Sequence, residues 1–161
     1  MAVPSPSGEE LARERDHIAD IVSRDRTGRR ISELKAELGA EMDGKVSVFR
    51  DEERLLQARE TVKRLQEEVK TVSVDDKGSV FNQDVLGALE LQFMLDNAEC
   101  IVAGALERKE SRGAQYRTDF PERNDEEWLK HINLTSNGGD APEISYSEIT
   151  MTQWEPEERT Y

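Results

Sequence analysis

The stretch that most constrains the fold of this chain lies between residues 82 and 128. Its first two thirds carry apolar or small residues at most positions, after Asn82, which can cap a helix. A helix that is apolar around most of its circumference needs neighbours on several sides. The pattern therefore predicts a long central helix. If that helix runs to Arg112, with Gly113 as its C-cap, it is about 45 Å long, and one end projects beyond its shorter neighbours.

Three shorter helices are predicted before the central one. Ser7 and Glu10 fit a capping box at the start of a highly charged helix over about 9–24. A second helix begins near Ile31, and Asp51 can cap a third. In the third helix apolar residues recur at steps of three and four, which is typical of the seam of an antiparallel bundle. That seam could serve a helix of a partner protein, but the other apolar helices favour internal packing. The seam residues are Leu55, Ala58, Val62, Leu65 and Val69.

Beyond residue 113 the periodicity changes from helical to alternating. Apolar and polar residues alternate on both sides of a glycine-rich turn at 137–140, which predicts a β-hairpin over about 131–154. A lone hairpin is marginal in water, so we expect it to lie against a larger surface. The predicted fold class is mainly α: an antiparallel bundle of three to four helices with a C-terminal extension that contains a short β-hairpin. The predicted divisions are a linker over 1–8, the bundle over 9–113 and the extension over 114–161.

The net charge of the chain, its apolar runs and its first residues limit the kinds of partner and the cellular location that we expect. The formal net charge is −13, whereas a nucleic-acid partner requires a clustered basic surface. No apolar run approaches the roughly 18 residues that span a bilayer. The first residues lack the basic and apolar regions of a signal peptide. We therefore expect a cytoplasmic protein with no nucleic-acid partner and no membrane insertion of its own.

Few residues offer catalytic or metal-binding chemistry. Cys100 is the single cysteine and lies in the predicted apolar helix, where we expect a buried, unreactive thiol. The two histidines, His17 and His131, leave little for a zinc site. Carboxylates alone could bind a metal, but no spaced cluster indicates it. No glycine-rich phosphate loop follows a predicted strand. The residues by themselves predict no catalytic, metal-binding or cofactor-binding site within this chain.

The polar residues after the predicted helix form a distinctive sequence, SRGAQYRTDFPERND at 111–125. Together with VFNQD at 80–84 and ITMTQWEPEER at 149–159, this block closely resembles the C-terminal region of the flavoprotein subunit of succinate dehydrogenase and fumarate reductase. The first thirty residues match only loosely. The family usually has histidine at Gln115 and aspartate at Asn124. Those two departures put a proton-linked role in doubt there but leave a structural role intact.

The resemblance implies an architecture and a set of partners. In the family this region is a helical bundle and extension packed on the domain that binds FAD covalently. The enzyme passes two electrons from succinate through FAD to an iron–sulfur subunit, and the complex would hold this segment at the inner face of the cell membrane. The catalytic histidines and arginines lie earlier in the subunit, so the isolated segment is not expected to be active. The residues that resemble the junction with the flavin domain are Arg112, Arg117, Asp119, Pro121 and Arg123.

Two other interpretations stay open from the sequence. The chain could be a stand-alone acidic helical module that binds another protein. It could also be the C-terminal domain of an L-aspartate oxidase-like flavoprotein, a related family with a similar helical region. The block at 117–125 and the long tail resemble succinate dehydrogenase more closely.

Overall fold

The computed structural model describes residues 5–25, 28–138, 141–154 and 157. Within these ranges the chain is mainly helical, with two small two-stranded sheets. The elements are α1 (Gly8–Ser23), α2 (Ile31–Lys45), β1 (Phe49–Arg50), α3 (Glu52–Val69), α4 (Gln83–Glu107), β2 (Tyr116–Arg117), α5 (Asp125–Trp128), β3 (Lys130–Thr135) and β4 (Glu143–Glu148). This arrangement confirms the predicted fold class.

Three of the helices begin at the side chains that the sequence predicted as caps. Ser7 and Glu10 form a reciprocal capping box at the start of α1. The Asp51 carboxylate accepts a hydrogen bond from the backbone N–H of Arg54 at 2.8 Å, which begins α3. The Asn82 side chain accepts one from the N–H of Val85 at 2.9 Å, which begins α4. These local signals satisfy N–H groups that have no partner inside the helix.

The core lies between α2, α3 and α4. All five seam residues of α3 are buried, which confirms that the seam packs internally. One apolar cluster joins Leu65 of α3 to Leu34 of α2 and Leu91 of α4. A second cluster joins Leu55 of α3 to Val102 near the end of α4. Burial of each such leucine stabilises the fold by about 1.5–3 kcal/mol.

Helix α1 lies at the edge of this core. Ile21 is its one buried residue, whereas Leu11 is 53% exposed. Polar contacts hold the helix in place: the side chains of His17 and Gln92 meet at 3.1 Å. The guanidinium of Arg24 donates to the carbonyl of Val72 at 2.9 Å. The first helix is thus docked by one edge, as its narrow apolar stripe predicted.

The end of α4 differs from its prediction. The helix ends at Glu107, five residues before Arg112, and is about 37 Å long. Gly113 does have a positive φ of 58°, but it lies in a two-residue turn rather than at a helix end. Arg112 and Gln115 exchange both backbone hydrogen bonds across that turn, at 2.9 and 3.1 Å. The prediction that one end of the helix projects beyond its neighbours was also wrong, because Val102, near the C-terminal end, is buried against α3.

Helix α4 contacts α1, α2, α3 and β3, which confirms its prediction as a central helix, but its faces are covered unequally. One face is buried in the core. The opposite face leaves four large apolar side chains exposed, and Phe93 is 65% exposed. The buried residues are Ala88, Leu91, Leu95, Ala98, Val102 and Ala105, and the exposed ones are Leu86, Phe93, Met94 and Ile101.

The hairpin covers the C-terminal end of α4. Strands β3 and β4 pair in antiparallel register, with Ile132 opposite Tyr146 and Leu134 opposite Ile144. A Cβ atom at Gly104 of α4 would lie 3.4 Å from a methyl group of Leu134, so the absence of a side chain lets the hairpin approach closely. The strand ends at Glu148, earlier than the predicted 154. Residues 139–140 of the predicted turn lie outside the described residues.

Candidate functional site: the polar cluster that follows the long helix

The C-terminus of α4 is capped by the side chain of Arg117, ten residues further along the chain. Its side chain is fully buried, and one guanidinium nitrogen donates to the carbonyl of Ala105 at 2.8 Å and to that of Leu106 at 3.3 Å. These carbonyls belong to the last turn of α4, where no helical N–H remains for them. The cation also suits the negative end of the helix dipole. Arg117 therefore supplies the C-terminal cap that the helix lacks locally.

Asp119 connects this cap to the beginning of α3. Its two carboxylate oxygens accept from Nε and Nη2 of Arg117, each at 2.8 Å. The same carboxylate accepts from the backbone N–H of Glu52, the first residue of α3, at 2.9 Å. The hydrogen bonds from Arg117 above all lower the pKa of Asp119 to about 2. One ion pair thus joins the C-terminus of α4 to the N-terminus of α3, and each charge opposes the dipole that it meets.

The backbone around Arg117 is fixed by a short parallel pairing. Strand β2 lies beside β1, with Phe49 opposite Tyr116 and Arg50 opposite Arg117. The hydroxyl of Ser111 accepts from the N–H of Arg117 at 2.9 Å and donates to the carbonyl of Phe120 at 2.9 Å. These bonds hold the segment against the link that precedes α3.

Glu110 forms a second buried centre in the same cluster. Its side chain has no exposed surface, and it accepts hydrogen bonds from Arg108 at 2.6 Å, from Arg112 at 2.7 and 2.9 Å, and from the N–H of Asn124 at 2.9 Å. Burial alone would raise the pKa of Glu110, but the bonds from Arg112, Asn124 and Arg108 together lower it. The carboxylate therefore stays ionised although it is buried.

A third acid, Asp125, joins the cluster to its outer arginines. It accepts from Arg112 at 2.5 Å and from Nε of Arg123 at 2.7 Å. The bonds from Arg123 and Arg112 hold the pKa of Asp125 far below its usual range. Arg123 also donates to the backbone carbonyl of Glu157 at 2.8 Å, which joins this residue to the cluster.

The comparisons with known proteins agree with one another. The family model of the fumarate reductase flavoprotein C-term matches residues 35–161. The chain belongs to this family. It is 41% identical over 130 residues to the fumarate reductase flavoprotein subunit of Haemophilus influenzae, which covers 81% of this chain and 22% of the relative. It is 35% identical over 156 residues to the succinate dehydrogenase flavoprotein subunit of Bacillus subtilis, covering 94% and 26% respectively.

A solved structure shares the fold. An E. coli quinol fumarate reductase chain superposes with a TM-score of 0.85 at 30% identity, over 98% of this chain and 28% of the other. The present chain therefore spans about a quarter of the length of the family members that it matches. These findings confirm the resemblance drawn from the sequence, namely the C-terminal domain of a fumarate reductase or succinate dehydrogenase flavoprotein.

The two departures from the family pattern have structural partners here. The amide of Gln115 accepts from Arg50 at 2.9 Å and donates to the carbonyl of Arg108 at 3.2 Å. Asn124 caps α5, because its side chain accepts from the N–H of Glu127 at 3.0 Å. Asparagine and aspartate cap helices about equally well. Both amides are used in hydrogen bonds, and neither contact requires a titratable group.

The five residues that the sequence proposed for a domain junction lie close together but differ in exposure. Arg117 is buried inside this domain. The side chains of Arg112 and Arg123 are 27% and 26% exposed, and Pro121 is exposed. The Asp119 side chain is 29% exposed, which is comparable with these two arginines.

Sequence reasoning missed two members of the cluster, Arg108 and Glu110. Arg108 donates to the carbonyls of Trp128 and Lys130 at 2.9 and 2.7 Å, and thereby connects the helix end to the hairpin. The sequence places both residues in what looks like the last turn of a charged helix, where side chains are usually solvated. Both residues stand in a run of adjacent charges at 107–110, and this pattern gave no sign of burial.

The buried polar atoms of the cluster all take part in hydrogen bonds. Within the described ranges, every buried side-chain nitrogen and oxygen atom has a hydrogen-bond partner. Those ranges also contain no group of His, Cys, Asp and Glu arranged to hold a metal ion. Cys100 is half-buried rather than buried, and desolvation above all raises the pKa of its thiol. No described helix is both long enough and apolar enough to cross a membrane.

Two clefts among the described residues differ in size and in the charge of their lining. The cleft beside the start of α2 is cationic, with Arg29, Arg30 and Lys35 in its lining, but its volume of about 320 Å³ lies at the low end for a drug-sized ligand. The larger groove between α1, α3 and α4 has a mixed lining, in which the acids Glu67, Asp96 and Glu99 lie beside the cations Arg24, Lys63 and Lys70.

Proposed function

We propose that this domain supports FAD-dependent interconversion of succinate and fumarate structurally, without supplying a catalytic residue. The observation that carries the proposal is the saturated polar cluster. Arg117 and Glu110 are buried charges whose partners all lie in this chain, so their charges stabilise the junction between helices α3 and α4 and the extension. Groups engaged in this way are not available to bind or protonate a dicarboxylate. Family membership supplies the reaction class.

The outer residues of the cluster are proposed to contact the flavin-binding part of the flavoprotein. Arg112, Pro121 and Arg123 keep exposed surface, and they project from a segment whose backbone is fixed by Arg117 and Asp119. A partner surface would meet a rigid set of cations here rather than flexible side chains, which lowers the entropic cost of docking. Arg117, which is buried, would act from behind as a positioning residue, and Asp119 would belong to the surface that it holds in place.

The remaining partners follow from the same proposal. FAD would be bound by the part of the flavoprotein that precedes the matched region, and electrons would pass on to an iron–sulfur subunit. The assembled complex would lie in the cytoplasm at the inner face of the cell membrane. This domain would enter that complex through protein contacts only.

The decisive experiment grafts this chain onto a relative. In the Haemophilus influenzae flavoprotein subunit, the C-terminal region that matches this chain is replaced by residues 1–161, and the same subunit truncated before that region is the control. We expect the chimera to retain flavin absorbance and succinate-dependent dye reduction, and the truncated control to lose both. If the chimera loses flavin as completely as the control, the proposal fails.

The isolated chain provides the complementary test. Purified residues 1–161 should show no flavin absorbance and no dye reduction, and a stoichiometric flavin chromophore with succinate-dependent activity would overturn the proposed structural role. When the tagged chain is recovered from its own cells, flavoprotein and iron–sulfur polypeptides should accompany it. Recovery of unrelated proteins alone would favour the stand-alone acidic module instead.

A further inference from the structure

One face of α4 and the loop that precedes it leave large apolar side chains exposed among the described residues. We infer that this face, defined by Val80, Phe81, Leu86, Phe93, Met94 and Ile101, docks onto the part of the flavoprotein that precedes the matched region. The inference rests on the proposed function and names a second contact surface, separate from the arginines of the polar cluster. It assigns the contact to apolar side chains.

The spacing places the exposed residues of α4 on one side of the helix. Phe93, Met94 and Ile101 follow Leu86 by seven, eight and fifteen residues, and at 3.6 residues per turn these steps place all four within an arc of about 100°. All four are exposed, Phe93 by 65%. Single exposed apolar residues are ordinary, but a continuous row of large ones marks a contact surface. The row stops where the hairpin begins, at Gly104 under Leu134.

The loop before α4 gives an independent observation. Phe81 has a φ of 53°, a left-handed backbone that a large L side chain rarely adopts, and its ring is 91% exposed. The side-chain amide of Asn82 holds the loop by donating to the carbonyls of Asp76 and Gly78 at 2.8 and 2.9 Å. Asp84 accepts from the N–H of Asp76 at 3.0 Å. Backbone strain that a hydrogen-bond network maintains, at a residue whose aromatic side chain is left exposed, indicates a side chain arranged in advance for a partner.

The length of the family members and the net charge of this chain indicate which protein surface contacts this face. Family members are about four times as long as this chain, and the matched part is their C-terminal region, so the rest of the flavoprotein lies directly before it. A second copy of this chain is disfavoured, because each copy carries a net charge of −13 and a symmetric contact would bring like charges together. The preceding flavoprotein part can supply an apolar surface without that repulsion.

The first experiment uses the chimera and the free chain in parallel. Phe93→Ser and Phe81→Ser are each made in both, with Leu11→Ser on α1 as the matched control, because Leu11 is 53% exposed and lies outside this face. We expect the two phenylalanine variants to lower the temperature of flavin release from the chimera by about 4 °C or more. The melting temperature of the free chain should stay within about 1 °C, and the control should change neither quantity.

Two results would overturn the inference. An unchanged flavin-release temperature in both phenylalanine variants would show that the face stays in water. An equal loss in the free chain would show that the side chains serve the bundle itself. If the unsubstituted chimera holds no flavin, the proposed function fails first and the inference falls with it, so the two failures are distinguishable.

A second experiment identifies the occupant directly. A photo-crosslinking amino acid is placed at position 93 of the chimera, and again at position 11 as the control. After irradiation and digestion, we expect position 93 to be joined to peptides from the preceding part of the same polypeptide. A crosslinked dimer, or a crosslink from position 93 to a different subunit, would contradict the assignment.

Discussion

The bundle and the polar cluster stabilise the same helices by different means. In the bundle, Leu65 and Leu91 are buried among apolar side chains of similar size, which can be exchanged for one another at modest cost. In the cluster, Arg117 and Glu110 are equally buried, but each depends on specific partners at fixed distances. The free energy of the bundle is therefore spread over many contacts, whereas that of the cluster depends on a few charges. The difference predicts contrasting responses to substitution.

The largest effect is expected for Arg117→Ala. The substitution leaves carbonyls at the end of α4 without a donor and Asp119 without its cation, and the loss of one partner of a buried pair costs about 3–5 kcal/mol. Urea denaturation of the 161-residue chain would measure it. Arg117→Lys should recover little, because an ammonium group cannot make the two-point contact with Asp119. A loss below about 1 kcal/mol would mean that the cap is dispensable.

Leu91→Ala in the bundle should cost somewhat less, about 3 kcal/mol, because it leaves a cavity that neighbouring side chains partly fill. Leu91→Met should cost less than about 1.5 kcal/mol, since it conserves volume. This tolerance of a conservative exchange is what separates the bundle from Arg117. Comparable losses for the methionine and alanine variants, in the same urea titration, would remove the distinction between the two regions.

The cluster should also respond to acid more than the bundle does. The pKa of Asp119 is about 2 in the folded chain, below the ordinary value of roughly 3.9 in the unfolded one. The stability that this carboxylate contributes is therefore fully present above about pH 4 and is lost as the pH falls toward 2, by an amount of the order of 1–2 kcal/mol. Denaturation midpoints between pH 2 and 6 would measure the loss. Asp119→Asn should flatten that part of the profile, and an unchanged acid slope would show that other carboxylates dominate.

The smallest effect is expected at Phe81. Glycine adopts a positive φ without steric cost, so Phe81→Gly should stabilise the free chain by about 0.5–1 kcal/mol. Val80→Gly, at a neighbouring position where no positive φ occurs, is the matched control and should give no gain. A thermal melt of the two variants tests the pair. Destabilisation by Phe81→Gly would indicate that the ring contributes to the fold of the isolated chain.

The sequence predicted a structural feature well when the residues that determine it are close to it in the chain. The caps at Ser7, Asp51 and Asn82 act within three residues, and the seam of α3 repeats along a single helix, so local patterns were sufficient. The end of α4 is set by Arg117, ten residues beyond Glu107, and residues 108–112 have ordinary helical propensity. The helix was therefore predicted five residues too long.

The partners of the site were harder to predict than its members. The arginines of the block at 111–125 were identified by resemblance, yet Arg117 proved to be buried and Glu110 was missed. Burial of a charge depends on several donors that meet from separate segments, as Arg112 and Asn124 do around Glu110. A periodic sequence pattern within one element does not predict contacts of this kind between separate segments. The assignment of Arg112, Pro121 and Arg123 to a domain junction remains a prediction for the same reason.

The bond from Asp119 to the first N–H of α3 has a consequence for how the chain can be divided. Arg117 binds the C-terminus of α4 and Asp119 binds the N-terminus of α3. Through this ion pair, the extension joins the two helix ends in a closed loop of contacts. A fragment that stops at residue 113 would open this loop, so we expect it to expose the last turn of α4 to hydrogen exchange. Bundle and extension would then open and close together, as one cooperative unit, rather than as a stable core with a detachable tail.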